Sequence, residues 1–378
     1  MKQLHAEIAG AGIAGLTAAA ALAQRGWSVR VHERSANLRT FGAGIYIWSN
    51  GLRVLEAIGA YDEAMVGAHE GAVFQTRDHG NATMEDIPIN SSGAPRLVTI
   101  LRERLLLSLL NAARRAGAEI VSDSEAVGAT PDGKLLMADK RTLSADLVIG
   151  ADGINSRVRE SLDLLMYRKP LHYGAVRMML KRDDDDVPPA DRSNYIEYFS
   201  GTRRILYTPA SATDLYVALC CAEDDVGAYQ LPIAPALWRK SFPHLSGLIA
   251  RFGEAGRWDA FEVLKLKAWS KGQVAILGDA AHAMPPYLGQ GGGCALMNAL
   301  GLAVSLENNR DIPAALAAWE AQERPLTEHT QDTAERMGHM NLWPDDVRSA
   351  VLRITGRCEQ IGAERMKTAL SLPTGTLA

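Results

Sequence analysis

Apolar and polar positions alternate near the N-terminus in a pattern whose period changes twice. Residues 6–9 are mostly apolar, residues 16–24 form an Ala-rich helical run, and residues 27–33 alternate like a strand. A Gly-x-Gly-x-x-Gly turn separates the first run from the helix. The pattern therefore predicts a strand, a tight turn, a helix and a second strand, the order in which dinucleotide-binding domains begin.

The glycines of this turn have separate physical roles. Gly10 permits the tight turn, Gly12 lets the backbone approach a pyrophosphate, and Gly15 lets helix and strand pack closely. Free N–H groups at the start of the helix, where Ala14 lies, favour an anion. We therefore expect a nucleotide cofactor here, and an ordinary Gly-rich turn is the alternative.

Glu33 ends the second predicted strand, about 20 residues beyond the glycines, where such domains place an acid that binds ribose hydroxyls. Arg34 follows it directly, Arg39 supplies another cation, and Gly44 allows a close backbone approach. We count these residues among the expected cofactor contacts. A Gly-rich loop with a solvated Arg is the alternative for this second block.

Two later segments repeat the strand–turn–helix pattern. A strand over residues 147–150 leads into "ADGINSRVR", which contains Asp152. An apolar strand leads into "GDAAHAMPPYLGQG" over residues 278–291, and an apolar helix follows. Gly and Pro mark this second segment as a turn, with one Asp and one His inside it.

Together and in this order, the motifs resemble those of the group A flavin-dependent aromatic hydroxylases, which have the para-hydroxybenzoate hydroxylase fold. The resemblance covers about residues 1–330 and implies an α/β chain with a Rossmann-like FAD-binding domain, an inserted, mainly antiparallel β-sheet substrate domain and a C-terminal helical segment. The implied ranges are 1–70, 98–165 and 270–325 for FAD binding, 71–97 and 166–269 for the substrate, and 326–378 for the helical segment. The insert agrees with its own pattern, because "NYIEYF", "RRILYTP" and "DLYVALCC" are strand-like.

The resemblance also implies which residues contact FAD. Asp279 would bind the ribityl chain, Arg102 would lie near the cofactor, and Asp152 belongs to the second motif. A further group would lie along the flavin ring: Pro286, Gly289, Gln290, Gly291 and Gly292. A helix N-terminus at this place would stabilise negative charge on reduced flavin.

The activity implied by the resemblance is oxygenation of an electron-rich ring through a flavin C4a-hydroperoxide. It would use bound FAD, molecular oxygen, and NADH or NADPH as co-substrate. The flavin does the chemistry, so no protein nucleophile and no metal is required, and the protein has to position the ring and exclude water. No residue distinguishes NADH from NADPH or predicts ring opening.

Within this family the chain is similar to members that act on 2-methyl-3-hydroxypyridine-5-carboxylate, as "FGAGIYIWSNGLRVLEAIGA" and "GQGGGCALMNA" indicate. This similarity implies that Tyr46, Arg177, Arg204 and Tyr216 position the substrate. Arg204 can bind a ring carboxylate bidentately, and Tyr216 can bond a ring hydroxyl or a water. We therefore expect a hydroxylated pyridine carboxylate, such as that compound or 5-hydroxynicotinate, as substrate.

A few positions depart from those members. Phe74 and Phe261 stand where pocket tyrosines are expected, so the ring substituents should differ, and Asn298 stands where many relatives carry Asp. His282 lies in the GDAAH turn. We expect it to be structural, although His is suited to proton transfer near pH 7.

Composition and charge exclude several other classes of protein. The 378 residues have a net charge of −4, which does not fit a nucleic-acid-binding footprint, and the four cysteines lack metal or disulfide spacing. The acids at 183–186 are expected to form a solvated loop rather than a metal site. The N-terminal apolar run imitates a signal peptide, but Glu7 and the turn glycines contradict that. We expect a cytoplasmic protein without membrane contact, whose oligomeric state, a homodimer included, stays open.

Two other functions fit the same motifs. A salicylate- or hydroxybenzoate-type hydroxylase would share the cofactor site and differ in the ring that it accepts. A flavin-binding redox sensor would be reduced without oxygenating any substrate.

Overall fold

A computed structural model describes residues 3–37, 43–253 and 256–377. In chain order the strands are β1 (His5–Ala9), β2 (Ser28–His32), β3 (Gly44–Trp48), β4 (Val73–Arg77), β5 (Thr83–Pro88), β6 (Leu97–Leu101), β7 (Glu119–Val121), β8 (Ala126–Thr130), β9 (Lys134–Met137), β10 (Thr142–Ser144), β11 (Leu147–Gly150), β12 (Leu165–Lys181), β13 (Tyr195–Ser200), β14 (Arg203–Pro209), β15 (Asp214–Ala222), β16 (Arg257–Leu266), β17 (Ser270–Lys271) and β18 (Val274–Ile276). The helices are α1 (Ile13–Gln24), α2 (Ser49–Ala57), α3 (Tyr61–Met65), α4 (Arg102–Arg115), α5 (Arg157–Ser161), α6 (Val226–Tyr229), α7 (Pro235–Ser241), α8 (Ser246–Ala250), α9 (Asp279–His282), α10 (Gly291–Asn308), α11 (Ile312–Gly338), α12 (Asp345–Thr355) and α13 (Glu359–Met366).

A mostly parallel sheet forms the nucleotide-binding half. Its strand order is β17-β18-β11-β1-β2-β7, and every pairing is parallel except that of β17 with β18. β11 is buried at all its residues, as expected of a parallel strand covered on both faces. The predicted first strand, helix and second strand are β1, α1 and β2.

A second sheet, with strand order β16-β12-β15-β14-β13-β4-β5, forms the other half. Its pairings are antiparallel except that of β13 with β4. Side chains alternate between its faces, since successive residues of a strand point to opposite sides. On β14, Ile205 and Tyr207 pack into a core with α6, α7 and α8, whereas Arg204, Leu206 and Thr208 face a cavity.

The two halves have separate cores, and the chain leaves the first core and returns to it. The large buried cluster of the first half joins residues between Ala6 and Leu164 to residues between Leu264 and Trp319. The core of the second sheet is built from residues between Val176 and Phe252. This arrangement is the inserted α/β fold that the family resemblance implies, while the individual domain boundaries stay a prediction.

Helix α11 runs without interruption through Pro325, so the predicted boundary between 325 and 326 falls inside a helix. Proline removes one backbone hydrogen bond from a helix interior. Buried side chains on both sides of it, such as Trp319 and Ala334, pack the two halves of the helix against the body of the protein. Tertiary packing therefore outweighs the local cost of the proline.

Candidate functional site

The Gly-rich turn lies where β1, β11 and α1 meet. Gly10 has φ +101°, and a Cβ on it would lie 2.4 Å from the carbonyl oxygen of Ala151. A Cβ on Gly15 would lie 2.0 Å from the carbonyl oxygen of Gly10, whereas a Cβ on Gly12 would meet no atom within 4 Å. Gly12 and Ala14 line the cavity. The turn thus leaves open space at a helix N-terminus, which suits a pyrophosphate.

Glu33 lies beside this turn. Its carboxylate accepts hydrogen bonds from the backbone N–H groups of Ala11, at 3.1 Å, and Ser35, at 3.0 Å. Arg34 is an exposed residue next to it. Arg39 lies outside the described residues. Glu33 is therefore held at the glycine turn, in the position of a ribose-binding acid.

Asp279 follows β18 and begins α9. Its side chain is accessible from the cavity and accepts no hydrogen bond from a residue in the described ranges. Desolvation of the carboxyl group by the protein around it raises its pKa, and the positive charges of Arg102 and Arg177 partly offset this effect. Asp279 is thus a carboxylate that can accept hydrogen bonds from the hydroxyl groups of a ligand.

The chain after α9 curves along one wall of the cavity. Pro286 begins a short 3-10 turn, Gly289 has φ +62°, and α10 begins at Gly291 without a side-chain cap. A Cβ on Gly289 would lie 3.2 Å from Tyr46 Cβ, and a Cβ on Gly292 would lie 3.1 Å from a side-chain carbon of β3. The uncapped first turn of α10 leaves backbone N–H groups for a ligand.

Gln290 differs from its neighbours in this segment. It is 2% exposed, and its Oε1 accepts a hydrogen bond of 3.0 Å from Asn50 Nδ2. Its side chain therefore links α10 to α2. Its Nε2 has no hydrogen-bond partner among the described residues, and Gln290 lines the cavity, so the flavin contact expected at this position stays a prediction.

Asp152 has a local structural contact. Its Oδ2 accepts hydrogen bonds from the N–H groups of Arg157, at 2.8 Å, and Val158, at 3.3 Å, at the start of α5. The residues on either side of it, Ala151 and Gly153, line the cavity. The structure thus places Asp152 behind the cavity wall, where it holds the turn that forms the wall.

The predicted substrate residues meet at the cavity face of the second sheet. Arg204 on β14 and Tyr216 on β15 project from this face, and Tyr46 on β3 approaches it with its hydroxyl 2.7 Å from Thr208 Oγ1. Burial raises the pKa of Tyr46 well above its usual value. The hydroxyl of Tyr216 makes no hydrogen bond within the described part of the chain. Gly44 allows this approach, since a Cβ there would lie 3.1 Å from Tyr216 Cβ.

Arg177 on β12 lines the same cavity face, where it pairs with Ala218 and interacts electrostatically with Tyr216. Its guanidinium is 3.7 Å from Asp259, and it interacts electrostatically with Asp279 and Arg102. Arg177 therefore lies between Tyr216 and Asp279, and its contact with a substrate stays a prediction.

Arg204 is already paired inside the protein. Its Nη1 lies 3.3 Å from Glu197 Oε1, its Nη2 is 3.4 Å from Cys220 Sγ, and its guanidinium lies 4.8 Å from the centre of the Tyr287 ring. Burial raises the pKa of Glu197, and Arg204 opposes this effect. The sequence reasoning missed Glu197, although a single acid within the apolar strand "YIEYF" was a usable signal.

The two phenylalanines at expected tyrosine positions both line the cavity. Phe74 packs edge-on against Tyr46, with ring centres 6.0 Å apart, and Phe261 packs edge-on against Tyr287 at 5.9 Å. Both positions are therefore apolar wall rather than hydrogen-bonding groups.

His282 is buried behind the cavity. The side-chain amide of Asn298 lies 3.1 Å from its Nε2 and also contacts Thr327 Oγ1 at 3.2 Å. Burial lowers the pKa of His282 to about 4. The ring is therefore neutral near pH 7 and supports the turn from behind, in agreement with the structural role expected for it.

The end of the cavity away from Asp279 is largely apolar, apart from an ion pair of 2.6 Å between Glu85 and Arg365, and it was not foreseen from the sequence. The C-terminal helices contribute to it, and the residues are Met337, Met340, Leu352, Met366 and Ala369. Phe74 and Ile87 of the second sheet line the same region. Nothing local marks these positions, because they meet only when α11, α12 and α13 pack across the sheet.

The cavity, of about 400 Å³, thus has a cofactor end and a substrate end. The open space at Gly12, the unpartnered carboxylate of Asp279 and the uncapped start of α10 fit the phosphates, the ribityl hydroxyls and the flavin ring of FAD, respectively. These features would hold FAD along the edge of the parallel sheet.

Comparison with known proteins agrees with this geometry. A family model described as "FAD binding domain" matches residues 3–330. A 2-heptyl-3-hydroxy-4(1H)-quinolone synthase of Mycobacteroides abscessus is 42% identical over 359 residues, which cover 94% of this chain and 96% of that protein. A Rhodococcus erythropolis protein named as a putative 2-heptyl-3-hydroxy-4(1H)-quinolone synthase is 46% identical over 371 residues, which cover 98% of this chain and 97% of that protein. Among solved structures, 2-methyl-3-hydroxypyridine-5-carboxylic acid oxygenase, in a tetrameric form, superposes with a TM-score of 0.89 at 36% identity, covering 100% of this chain and 99% of that one.

The chain therefore belongs to the FAD-binding family of group A flavin monooxygenases. It is a FAD-dependent monooxygenase of the aromatic-hydroxylase type, as the motifs predicted. None of the helices in the described ranges is long and apolar enough to cross a membrane.

Proposed function

We propose that the protein adds one oxygen atom to C3 of a 2-alkyl-4(1H)-quinolone, with O₂ and NAD(P)H as co-substrates. The observation that carries this proposal is the substrate end of the cavity, in which buried Arg204 is already paired with Glu197. A largely apolar region, with the Glu85–Arg365 ion pair beside it, extends from there under the C-terminal helices. Two relatives at 42% and 46% identity are named for the corresponding 3-hydroxy product.

The charge of the cavity favours a neutral ring. A substrate carboxylate would have to displace Glu197 from Arg204, and an acid left unpaired in a buried site costs about 3–5 kcal/mol. A quinolone carries no charge at neutral pH and leaves this pair intact. Its ring carbonyl can accept a hydrogen bond from the unpartnered hydroxyl of Tyr216.

The apolar end favours a long substituent. Each buried CH₂ contributes about 0.8 kcal/mol, so an alkyl chain gains several kcal/mol from this region. Three of its residues, Met337, Met340 and Met366, are methionines, whose flexible side chains adapt to a chain of variable shape. A carboxylated pyridine with small substituents would leave the region without a ligand group.

FAD, when bound, supplies the activation of O₂ with two electrons from NAD(P)H. Overall, one oxygen atom enters the C3–H bond of the ring, the other leaves as water, and NAD(P)⁺ is formed. The protein's own residues bind and orient the ring: Tyr216 donates a hydrogen bond to the carbonyl, and the apolar walls, which include Phe74 and Phe261, exclude water.

A hydroxypyridine carboxylate is the second candidate. Arg204 and the likeness to a hydroxypyridine carboxylate oxygenase favour it, and a 4(1H)-quinolone shares its nitrogen ring. For this substrate, Arg204 would exchange Glu197 for the ligand carboxylate.

A substrate panel distinguishes the candidates. We expect 2-heptyl-4(1H)-quinolone to stimulate NAD(P)H consumption and to yield a product that is heavier by one oxygen. The panel includes 2-methyl-3-hydroxypyridine-5-carboxylate, 5-hydroxynicotinate and salicylate. Turnover of an acid without turnover of the quinolone would replace the proposal by the corresponding alternative.

A variant of the apolar end tests the alkyl site within one protein. Ala369→Phe fills this region, so the KM for 2-heptyl-4(1H)-quinolone should rise while that for the 2-methyl analogue changes little. FAD content serves as the control for folding. An equal effect on both analogues would show that the alkyl chain binds elsewhere.

A further inference from the structure

Glu197 lies in the cavity, and only one of its two carboxylate oxygens is hydrogen-bonded to another residue of the described protein. Its Oε1 lies 3.3 Å from Arg204, and its Oε2 accepts no hydrogen bond from any residue that the structure describes. The side chain is 14% exposed, and this exposure is to the cavity, which Glu197 lines. One oxygen atom is therefore available to a ligand that donates a hydrogen bond.

The fold does not require an acid at this position. Glu197 lies in β13 between buried Ile196 and Tyr198, and the next residue on its face, Phe199, is aromatic. Replacing a buried ion pair by apolar residues of similar volume is often neutral or stabilising. A charged pair at the substrate end of the cavity therefore indicates a role in recognition.

Strand geometry places Glu197 and Tyr216 on the same cavity face, with Leu206 and Ala218 between them. Glu197 pairs with Leu206 and Leu206 with Ala218, so Glu197 and Ala218 are two strands apart, and Tyr216 lies two residues further along β15. With strands about 4.8 Å apart and a rise of about 3.4 Å per residue, the Cα atoms of Glu197 and Tyr216 are about 12 Å apart. Both side chains project from the same face, and the Tyr46 hydroxyl interacts electrostatically with both. A ring that lies over Leu206 and Ala218 would have an acceptor at one edge and a hydroxyl donor at the other.

We propose that Glu197 Oε2 accepts the hydrogen bond of the ring N–H of the substrate, and so determines how the ring is oriented in the cavity. This inference rests on the proposed quinolone substrate. The N–H and the carbonyl of a 4(1H)-quinolone lie on opposite edges of its nitrogen ring, so Glu197 would hold one edge and Tyr216 the other.

The surroundings of Glu197 match the substitution pattern of such a ring. The alkyl group at C2 is bonded next to the ring nitrogen. Phe199, on the same strand face as Glu197, packs in one cluster with Met340 and Leu352 of the apolar end. A ring held through its N–H at Glu197 therefore places its C2 substituent against these side chains.

The orientation has a chemical consequence for C3. A hydrogen bond from the ring nitrogen to a carboxylate increases electron density in the conjugated N1–C2–C3 system, and C3 is the carbon that is oxygenated. Glu197 would thus raise the reactivity of C3 as well as fix its position.

The test compares 2-heptyl-4(1H)-quinolone with its 1-methyl analogue, which lacks the N–H. Wild-type protein should use the N–H compound with a kcat/KM about ten- to a hundredfold higher, the range of a hydrogen bond to a charged group. Glu197→Gln has a single amide oxygen for both Arg204 and the substrate, so kcat/KM for the N–H compound should fall and the preference should collapse. The KM should carry most of this change.

The matched control is another buried acid–arginine pair in the same half of the protein. Asp191 accepts from Arg77 at 2.6 Å and lies outside the cavity lining. Asp191→Asn should lower stability without changing the preference for the N–H compound.

Each outcome decides one of the two proposals. If wild-type protein turns over no quinolone, the proposed function is wrong and this inference falls with it. If wild-type protein prefers the N–H compound and Glu197→Gln keeps that preference, the quinolone function stands and the role of Glu197 is wrong. If Glu197→Gln does not retain FAD, Glu197→Asp gives the same comparison, because it keeps a charge opposite Arg204 and withdraws the carboxylate from the ring. An unchanged preference in Glu197→Asp would equally overturn the inference.

Discussion

Alanine substitutions at Gly10 and Gly12 should separate the folding role of the nucleotide turn from its cofactor role. The two glycines are two residues apart and belong to the same motif, yet their surroundings differ. A Cβ on Gly10 would lie 2.4 Å from a backbone oxygen, while a Cβ on Gly12 would meet no atom within 4 Å. We expect Gly10→Ala to destabilise the protein with or without FAD, and Gly12→Ala to affect mainly FAD binding.

The magnitudes follow from the geometry. At Gly10 the φ of +101° costs an L-residue roughly 1–2 kcal/mol. The contact with Ala151 adds about 1–3 kcal/mol, as overpacking usually does. The sum is about 2–5 kcal/mol of unfolding free energy. Gly12 has an ordinary φ of −83° as N-cap of α1, where an alanine costs at most about 1 kcal/mol.

The assay is urea unfolding of the flavin-free proteins, together with titration of FAD by flavin fluorescence. A methyl group at Gly12 would occupy the space left for the pyrophosphate, so the Kd for FAD should rise at least about tenfold, or 1.4 kcal/mol. The reasoning is refuted if Gly12→Ala destabilises the flavin-free protein as much as Gly10→Ala does, or if it binds FAD like the wild type.

Three further substitutions test other parts of the site. The pKa of His282 is about 4 in the folded protein and 6.5 in the unfolded chain, so the unfolded chain binds more protons between these values. The free energy of unfolding should therefore fall by up to about 3 kcal/mol as the pH drops from 6.5 to 4. Urea unfolding across this range should show a shallower pH dependence in His282→Gln than in the wild type. Tyr216→Phe removes a hydroxyl without a protein partner, so unfolding free energy should change by less than about 0.5 kcal/mol while the KM for the quinolone rises. Asp279→Ala should lower the fraction of FAD retained on gel filtration, and full retention would contradict its assignment to the ribityl chain.

Local patterns predicted the cofactor half of the protein well. The turn at Gly10, Gly12 and Gly15 depends on short-range backbone geometry, so its spacing indicates both the fold and the anion site. The strand–turn–helix segment at Asp279 likewise depends on backbone geometry over a few residues, so its sequence indicates its structure. The fold class and the family of flavin monooxygenases are confirmed by the comparisons.

The expected substrate contacts depended on contacts that no local pattern contains. Arg204 was foreseen as a carboxylate-binding residue, but its partner Glu197 lies on the neighbouring strand, and only the register of β13 with β14 brings the two together. Arg177 was expected at the substrate, and the pairings of β12 with β15 and β16 set it between Tyr216 and Asp259.

The sequence by itself therefore determined the family, the cofactor and the residues of the nucleotide turns, because these depend on glycine spacing and chain direction over a few residues. Only the tertiary structure decided the character of the substrate end. Its apolar wall is assembled from Met337, Leu352 and Met366, on helices separated along the chain, and its charge is balanced across two strands. Side chains that meet through packing leave no periodic signal in the sequence, so the pairing of Arg204 with Glu197 and the wall under the C-terminal helices were found only in the structure.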